Sequence, residues 1–351
     1  VVPLLDENRL LVRHGLSSVQ QRPYPGLDAL LTAANLKQRP TLSSEDIAFM
    51  VAPRLNAAGR LGKAELGVEL LTTDNPERAG QLAEHICELN VERDSLERNI
   101  YLAAQQQIQQ EFDADEDSAL VLAGRGWHAG VIGIVAGRLA DRYCRPVVVI
   151  SLDEQGTPVG TGSARSACGL NLYDAFQECA EHLIRFGGHA AAAGLRIDEQ
   201  HIDNFRKHFR DHVATCIPRE DRVAEIRIDA ETTLAQLTMR TVKQIEQLAP
   251  FGQANPRPIL CTSGIRLEGE PRTMGAGDRH LSVRISQGPV TLRAVAFGKG
   301  EWAAELARNS GDIEIAFRPV INEFGGRRSV ELQLVDWRPQ HASLHAPSSA
   351  R

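Results

Sequence analysis

The sequence predicts a fold in two parts, an α/β region with a mixed sheet and a C-terminal all-β barrel, joined by a long connecting helix. The helix is predicted over residues 75–112, because Asn75 and Pro76 form a start signal and apolar side chains then recur at helical spacing. Short apolar strands alternate with helices between residues 119 and 216, as in α/β proteins. Short strands separated by Gly, Pro, Asp and Asn turns follow from residue 259, as in small barrels.

The composition is that of a soluble globular protein with two or three domains: 351 residues, 42% hydrophobic and 24% charged. The sequence has no apolar run long enough to cross a bilayer and no signal-peptide pattern. Its six cysteines are irregularly spaced, without a Cys-x-x-Cys pair, which predicts reduced thiols in a cytoplasmic protein and no zinc site. The start at Val1, without an initiator methionine, looks like a cut inside a longer protein.

The net charge of −6 is unevenly distributed. Residues 76–117 contain eleven acidic side chains and three arginines, so the rest of the chain is slightly positive. A nearly neutral protein can still carry a basic groove on one face. Charge therefore leaves nucleic-acid binding open.

Local signals predict the elements around the long helix. Residues 10–12 predict a brief strand, and Ser43 and Ser44 predict the start of a helix that ends before Pro53. The α/β region is expected to contain strands at 119–122 and 146–152 and helices at 130–143, at 172–185 and from residue 198.

Three segments carry candidate anion-binding groups. Arg54 and Arg60 flank Asn56 and small residues; they either bind phosphate, for which arginine is a planar donor fork, or are two solvated arginines around a loop. Residues 160–166 combine glycines with Ser163, Arg165 and Ser166; this predicted loop is not a Walker motif, because it lacks the Gly-Lys step. In the segment 124–130, His128 either belongs to an anion site at a helix start or is an ordinary cap beside a packing Trp127.

Residues 186–194 read Phe-Gly-Gly-His-Ala-Ala-Ala-Ala-Gly. Gly187 and Gly188 allow a tight turn or close approach to a ligand, and His189 can donate, accept or carry charge near neutral pH. The segment is either a glycine turn into a small packed helix, with His189 as a cap, or a flat wall against an anionic ligand.

The last third predicts about five strands with a short helix between the third and fourth, which is the pattern of an oligonucleotide-binding (OB) barrel. Arginines interspersed with aromatic residues fit a groove for a single strand. Phe297 and Phe317 are expected in the barrel core. The candidate strand-binding residues are Arg279, Arg284, Arg293 and Arg327.

Five motifs occur in a fixed order along the chain: Pro-Arg-Leu-Asn-Ala-Ala-Gly-Arg at 53–60, Trp-His-x-Gly-Val-Ile-Gly at 127–133, Ser-Ala-Arg-Ser at 163–166, the glycine-histidine-alanine segment at 186–194, and Pro-Phe-Gly-x-x-Asn-Pro at 250–256. With these motifs the chain resembles the RecJ family of single-strand-specific 5′→3′ DNA exonucleases, in the DHH phosphoesterase superfamily. The resemblance implies the following domains: 1–74, the end of a DHH domain; 75–117, the connecting helix; 118–216, a DHH-associated domain; 217–339, an OB domain; 340–351, a disordered tail.

The resemblance also implies a mechanism. Members of the family hold two Mn²⁺ or Mg²⁺ ions in the DHH domain, which activate water for attack on a phosphodiester. No Asp-His-His occurs in this sequence, so we expect no metal ligand here and no activity of this chain alone.

The matching motifs imply roles for individual residues. Ser163 and Arg165 would hold the 5′-terminal phosphate, Arg54 or Arg60 would contact phosphates near the reaction, and His189 would act as the catalytic residue of this part. The implied partners are single-stranded DNA with a 5′ end and a single-strand-binding protein or a helicase, with no membrane and a monomeric state.

Two other functions stay open from the sequence. One is a module that binds single-stranded DNA without chemistry. The other is a phosphatase for small nucleotides, although residues 222–338 argue against it because such relatives generally lack the barrel.

Overall fold

The computed structural model describes residues 2–21, 24–39, 41–113, 117–154, 156–275, 277–324 and 326–340. The chain divides into two compact units, Leu16–Glu225 and a second unit that combines Val1–Gly15 with Ile226–Arg351. The sequence did not predict that the first residues join the C-terminal unit. The predicted disordered tail lies almost entirely outside the described residues. None of the helices in the described ranges has the length and hydrophobicity that a bilayer crossing requires.

The first third of the chain is helical. Its helices are α1 (Asp6–Gln20), α2 (Pro25–Ala33), α3 (Ser44–Asp46), α4 (Ala52–Arg60), α5 (Ala64–Thr72) and α6 (Pro76–Glu111). The long helix is confirmed as α6: the Asn75 side chain accepts hydrogen bonds from the amides of Glu77 (2.9 Å) and Arg78 (3.2 Å), and Pro76 occupies the first turn.

Two predictions in this part are wrong. Residues 10–12 lie in α1, because an apolar run of three residues does not distinguish a strand from a helix. The helix that begins at Ser43 does not end before Pro53. A π-helical turn, Ile47–Val51, connects α3 to α4, and Pro53 occupies the first turn of α4, where its fixed φ suits the helix.

The α/β region is a five-stranded mixed sheet with strand order β1-β2-β3-β5-β4. Strands β1 and β2 are parallel and the other neighbours antiparallel. One face packs on α6 and α7, the other on α8 and α9. The elements are β1 (Leu120–Arg125), α7 (Ala129–Tyr143), β2 (Val147–Leu152), β3 (Val159–Arg165), α8 (Leu172–Glu178), β4 (Leu183–Gly188), β5 (Ala192–Asp198) and α9 (Ile202–Cys216).

An ion-pair network fixes α7 against α6. Glu97, buried on α6, accepts hydrogen bonds from Arg93 of the same helix and from Arg138 of α7, each at 2.7 Å. The Arg138 guanidinium also lies 4.2 Å from the centre of the Tyr101 ring. Glu97 thus links the two helices, and loss of both arginines would leave its buried charge uncompensated.

The helix predicted over 172–185 ends at Glu178, and the glycine-histidine-alanine segment forms the β4–β5 hairpin instead of a turn into a helix. Gly188 has φ of +142°, and a Cβ there would lie 2.5 Å from the Ala192 carbonyl oxygen. A glycine is therefore required to close this hairpin.

The C-terminal unit contains a closed barrel of five strands, β7 (Leu260–Leu267), β9 (His280–Gln287), β10 (Val290–Ala296), β11 (Ile313–Phe324) and β12 (Arg327–Pro339). The ring order is β7-β9-β10-β12-β11 and back to β7, with β10 and β12 parallel. Helix α11 (Trp302–Arg308) lies between the third and fourth strands, so the OB prediction is confirmed. The unit also has β6 (Ala230–Glu231), α10 (Met239–Glu246) and β8 (Arg272–Met274).

The two phenylalanines predicted for the barrel core differ. Phe317 is fully buried, as expected, whereas Phe297 is 58% exposed. Strand β10 ends at Ala296, so Phe297 no longer follows its alternation. The Phe297 ring lies edge to face with His280, with ring centres 5.4 Å apart.

Candidate nucleic-acid interface

A cavity of about 530 Å³ opens in the α/β unit where α4, the start of α7 and β3 meet. It brings together four of the residues that the sequence singled out, although they lie up to 109 positions apart. The lining residues are Asn56, Gly59, Arg60, Ala129, Gly130, Gly133, Ser163 and Arg165.

The alternation of β3 directs Ser163 and Arg165 towards the cavity. Gly162 and Ala164, before and between them, are buried on the other face of the sheet. The predicted loop at 160–166 is therefore wrong. Most of it is a strand between β2 and β5, so its backbone participates in the sheet and does not form a phosphate-binding loop. The side chains of β3, rather than its amides, are the donors available to a ligand.

Two glycines let α7 approach its neighbours closely. A Cβ on Gly130 would lie 2.1 Å from the carbonyl oxygen of Arg60. A Cβ on Gly133 would lie 2.9 Å from Ser163 Oγ and 3.1 Å from Arg165 Nη2. The sequence did not identify these glycines as site residues, although a spacing of three places them on one face of a helix.

The cavity is electropositive. Arg60 Nη1 donates to the Gly130 carbonyl oxygen (3.0 Å), and Arg165 Nη1 donates to Ala164 O (2.7 Å) and Ser163 Oγ (3.2 Å). Burial, and then the positive charge of Arg60, lower the pKa of the Arg165 guanidinium below its usual value. No carboxylate is among the described lining residues, and the positive end of α7 contributes to the wall. An anion bound here would relieve the repulsion between the two arginines.

Three other predicted residues have local partners instead. Arg54 donates to the Met50 carbonyl oxygen, and its Nε is buried without a hydrogen-bond partner among the described residues. Ser166 Oγ donates to Leu170 O at 2.5 Å. His128 caps α7, with Nδ1 accepting from the Gly130 amide at 3.1 Å, as the simpler of the two interpretations predicted.

Gly187, Gly188 and His189 belong to the β4–β5 hairpin and are not lining residues of the cavity. The backbone amide of His189 donates to Ala192 O (2.9 Å), and its exposed side chain makes no hydrogen bond or ion pair with the residues that the structure describes. Ala192 is the first residue of β5 and pairs with Arg165, the last residue of β3. The turn of the β4–β5 hairpin therefore lies next to the end of β3 that carries Arg165. The catalytic role of His189 stays a prediction.

The predicted arginines of the barrel lie on its strands 2 and 3 and near adjoining loops, the usual binding side of an OB barrel. Arg284 on β9 is directly opposite Arg293 on β10, and Arg293 pairs with Glu331 of β12 at 3.1 Å. Arg279 precedes β9, and Arg327 begins β12. The exposed Phe297, which was predicted to lie in the core, lies just beyond the end of β10.

Two segments of the chain match known domains. Residues 116–215 match the DHHA1 domain, and residues 228–336 match the RecJ OB domain. These segments correspond to the sheet unit that carries Ser163 and Arg165 and to the barrel.

Relatives with similarity across the chain are named single-stranded-DNA-specific exonuclease RecJ. The protein from Bacillus subtilis is 32% identical over 96% of this chain and 42% of its own length, and that from Haemophilus influenzae is 35% identical over 96% and 59%. The chain thus spans about half the length of these relatives.

Solved structures of RecJ from Thermus thermophilus have the same fold. A complex with Mn²⁺ matches with a TM-score of 0.80 and 31% identity, over 97% of this chain and 48% of that one. A complex with Mg²⁺ matches with a TM-score of 0.79 and 30% identity, over 97% of this chain and 50% of that one.

Proposed function

Because the chain is a homologue of RecJ over nearly its whole length, we propose that it is the strand-binding part of an exonuclease that degrades single-stranded DNA from its 5′ end. The observation that carries this proposal is the cavity in which Arg60 and Arg165 lie together with Ser163, without a carboxylate among the described lining residues. Guanidinium groups at such a position favour a doubly charged terminal phosphate over an internal phosphodiester.

The proposed complex assigns a task to each part of the cavity. Arg165 and Ser163 hold oxygens of the 5′-terminal phosphate, while Arg60 and the start of α7 balance its charge. His189, exposed on the hairpin, contacts the strand nearby, and Arg54 supports α4 through its bond to Met50. Arg279, Arg284, Arg293 and Arg327 contact the strand on the barrel.

We infer that the complete protein uses Mg²⁺ or Mn²⁺, as the metal complexes of its relatives suggest. The resemblance implies that an Asp-His-His motif supplies the ligands of the catalytic ions, and this sequence contains no such motif. In the described part of the chain, the one group of three potential ligands consists of Glu181, His182 and His208, which does not belong to any of the five motifs shared with the family. We therefore propose that the catalytic ions are held by residues outside these 351, and that this chain binds DNA without hydrolysing it.

The binding proposal is tested with oligonucleotides that differ only in a 5′-phosphate or a 5′-hydroxyl. The chain is expected to prefer the phosphate about tenfold or more, and Arg165→Ala is expected to abolish that preference, since a hydrogen bond to a charged group contributes about 1.5–3 kcal/mol. Arg125→Ala is the control, because Arg125 lies in the same unit and is bonded to Glu199. Equal affinity of the unmodified chain for both ends would contradict the proposal.

A nuclease assay with Mn²⁺ separates binding from catalysis. We expect no shortening of a labelled single strand by this chain, and 5′→3′ degradation by a protein extended to the full length of the relatives. Degradation by the 351 residues alone would overturn the assignment of the metal site. Failure of the extended protein would favour the alternative, a binding module without chemistry.

We also propose that the protein acts in the cytoplasm as a monomer, together with a single-strand-binding protein or a helicase. The six cysteines are free thiols in the structure, which suits a reducing compartment. Sedimentation of the chain with and without a single strand tests the monomeric state.

A further inference from the structure

Glu181, His182 and His208 converge on the face of the α/β unit that carries α8 and α9. Glu181 and His182 lie in a 3₁₀ turn, Ala180–His182, immediately before β4, and His208 lies on α9 between the buried Phe205 and Phe209. The sequence analysis assigned no metal ligand, and a separation of 26 positions between the two histidines is not a recognisable motif.

The three potential ligand atoms are nearly equidistant. His182 Nε2 lies 3.3 Å from His208 Nδ1, and Glu181 Oε1 lies 3.5 Å from the former and 3.6 Å from the latter. Zinc–ligand bonds of about 2.0–2.2 Å at tetrahedral angles require ligand atoms roughly 3.3–3.5 Å apart. The triangle formed by these atoms therefore has nearly the size of one face of a zinc tetrahedron, with little movement needed.

The surroundings allow an ion to enter and a fourth ligand to bind. The side chain of His182 is 17% exposed, that of His208 38% and that of Glu181 69%. The two histidines are thus held partly in the protein, while the carboxylate faces solvent. Two imidazoles and one carboxylate favour zinc and its neighbours in the transition series over magnesium or calcium.

We propose that Glu181, His182 and His208 form a binding site for one divalent transition-metal ion of the zinc type, with water in the remaining position. Such an ion joins α9 to the residue that precedes β4. Since β4 leads to Gly187, Gly188 and His189, the bound ion restrains the base of the hairpin that carries His189.

The test is titration of the metal-free chain with Zn²⁺ in competition with a chromogenic chelator, and with Co²⁺ followed by absorption. One ion per chain is expected. His182→Ala and His208→Ala should each weaken binding by more than about tenfold, because loss of even an outer-shell partner costs about 10–100-fold. Glu181→Gln should weaken it less, and at the same concentration Zn²⁺ should raise the melting temperature of the unmodified chain but not that of His182→Ala or His208→Ala.

Two controls identify the site. His201→Ala, at the start of the same helical segment, should bind Zn²⁺ normally. His212→Ala tests a competing pair, since His212 Nε2 lies 3.4 Å from Cys216 Sγ. Unchanged affinity and stoichiometry in His182→Ala and His208→Ala overturns the proposal, as does a thiolate band in the Co²⁺ spectrum that disappears in His212→Ala. Absence of saturable binding by the unmodified chain overturns it as well. Melting of each variant without metal verifies that it is folded.

Discussion

The cavity of the α/β unit and the outer surface of the barrel both carry arginines, but in different electrostatic settings. Arg60 and Arg165 share a half-buried cavity without a carboxylate among its described lining residues. On the barrel, arginines pair with acids: Arg293 with Glu331 at 3.1 Å, Arg328 with Glu323 at 3.0 Å and Arg338 with Glu314 at 2.6 Å. The positive charge of the cavity arginines is concentrated at one place without a paired carboxylate, whereas much of the positive charge on the barrel is paired with carboxylates.

This difference separates two kinds of contact with a nucleic acid. A pair of close guanidinium groups selects a ligand with a high local charge, such as a terminal phosphate. Exposed ion pairs contribute little stability and exchange readily with a passing backbone, so such a surface binds any strand with an affinity that depends on salt. The proposed function therefore assigns end recognition to the cavity and strand retention to the barrel.

The strongest test removes both cavity arginines. Arg60→Ala with Arg165→Ala should lower the affinity for a 5′-phosphorylated strand about a hundredfold, since each loses a charge-assisted hydrogen bond worth roughly 1.5 kcal/mol or more. Fluorescence anisotropy measures the affinity. The control is the double variant Arg125→Ala with Arg206→Ala. It removes the same amount of positive charge, but at two arginines that are paired with Glu199 and Asp203. An equal loss of affinity in both double variants would show that the cavity arginines act only through the overall positive charge of the unit.

A subtler test narrows the cavity without changing charge. Gly133→Ala places a methyl group against Ser163 Oγ and Arg165 Nη2, and should lower the preference for a 5′-phosphate about tenfold, or 1.4 kcal/mol. Gly137→Ala is the matched control, because its Cβ would lie at an ordinary 3.8 Å from Arg165 Cγ. Gly137→Ala should leave the melting temperature unchanged or raise it, since alanine is the better helix former, whereas in Gly133→Ala the displacement of Ser163 Oγ offsets that gain. Equal binding by the two variants would contradict the geometry.

On the barrel, the expected effects are smaller. Phe297→Ala should weaken binding of a single strand roughly fivefold, at the lower end of the 1–3 kcal/mol found for base stacking. Phe297→Tyr should keep the affinity because it keeps the ring. Since Phe297 is 58% exposed, its loss should barely affect thermal unfolding. An unaltered affinity in Phe297→Ala would remove this ring from the binding surface.

The smallest expected effect is a change in how steeply the affinity for a single strand depends on salt concentration. Arg284→Ala should reduce the dependence of log K on log salt by about 0.7, the value for one lost phosphate contact on a single strand. Arg293→Ala should change the slope less, because Glu331 already compensates Arg293. Titrations at several salt concentrations measure both slopes. If the two variants give the same slope, the pairing with Glu331 does not matter.

Sequence reasoning predicted the fold well where a local signal has one structural meaning. Asn75 and Pro76 mark a helix start in any context, and the strand spacing of the last third specifies the barrel. Sequence reasoning failed where pairing between distant segments decides whether a residue lies in a strand, a helix or a loop. Residues 160–166 have the hydrogen-bond donors typical of a phosphate-binding loop. Most of these residues nevertheless form a strand, because they pair with β2 on one side and with β5 on the other. Pro53 continues a helical path because a π turn precedes it.

The candidate site shows the same limit. The density of donors around Ser163 and Arg165 identified them, but the sequence could not show which face of β3 they occupy. Gly130 and Gly133 belong to a motif that the sequence showed, but they were not selected as site residues, because their importance lies in the atoms packed against them. His182 and His208 were missed because no pattern in the sequence connects them. Arg54, Arg60 and His189 were grouped together, whereas only Arg60 of the three lines the cavity.

The shared carboxylate of Glu97 has a consequence for the cavity, because its partner Arg138 lies on α7 five residues after Gly133. Because Arg138 is held between Glu97 and the ring of Tyr101, α7 has one preferred rotational setting about its own axis. A rotation of about 20° would displace side-chain atoms on its surface by roughly 2 Å, given a helix radius of about 5 Å. Gly133 would then lose its alignment with Ser163 and Arg165. Residues of α6 that do not line the cavity thus help to set its width.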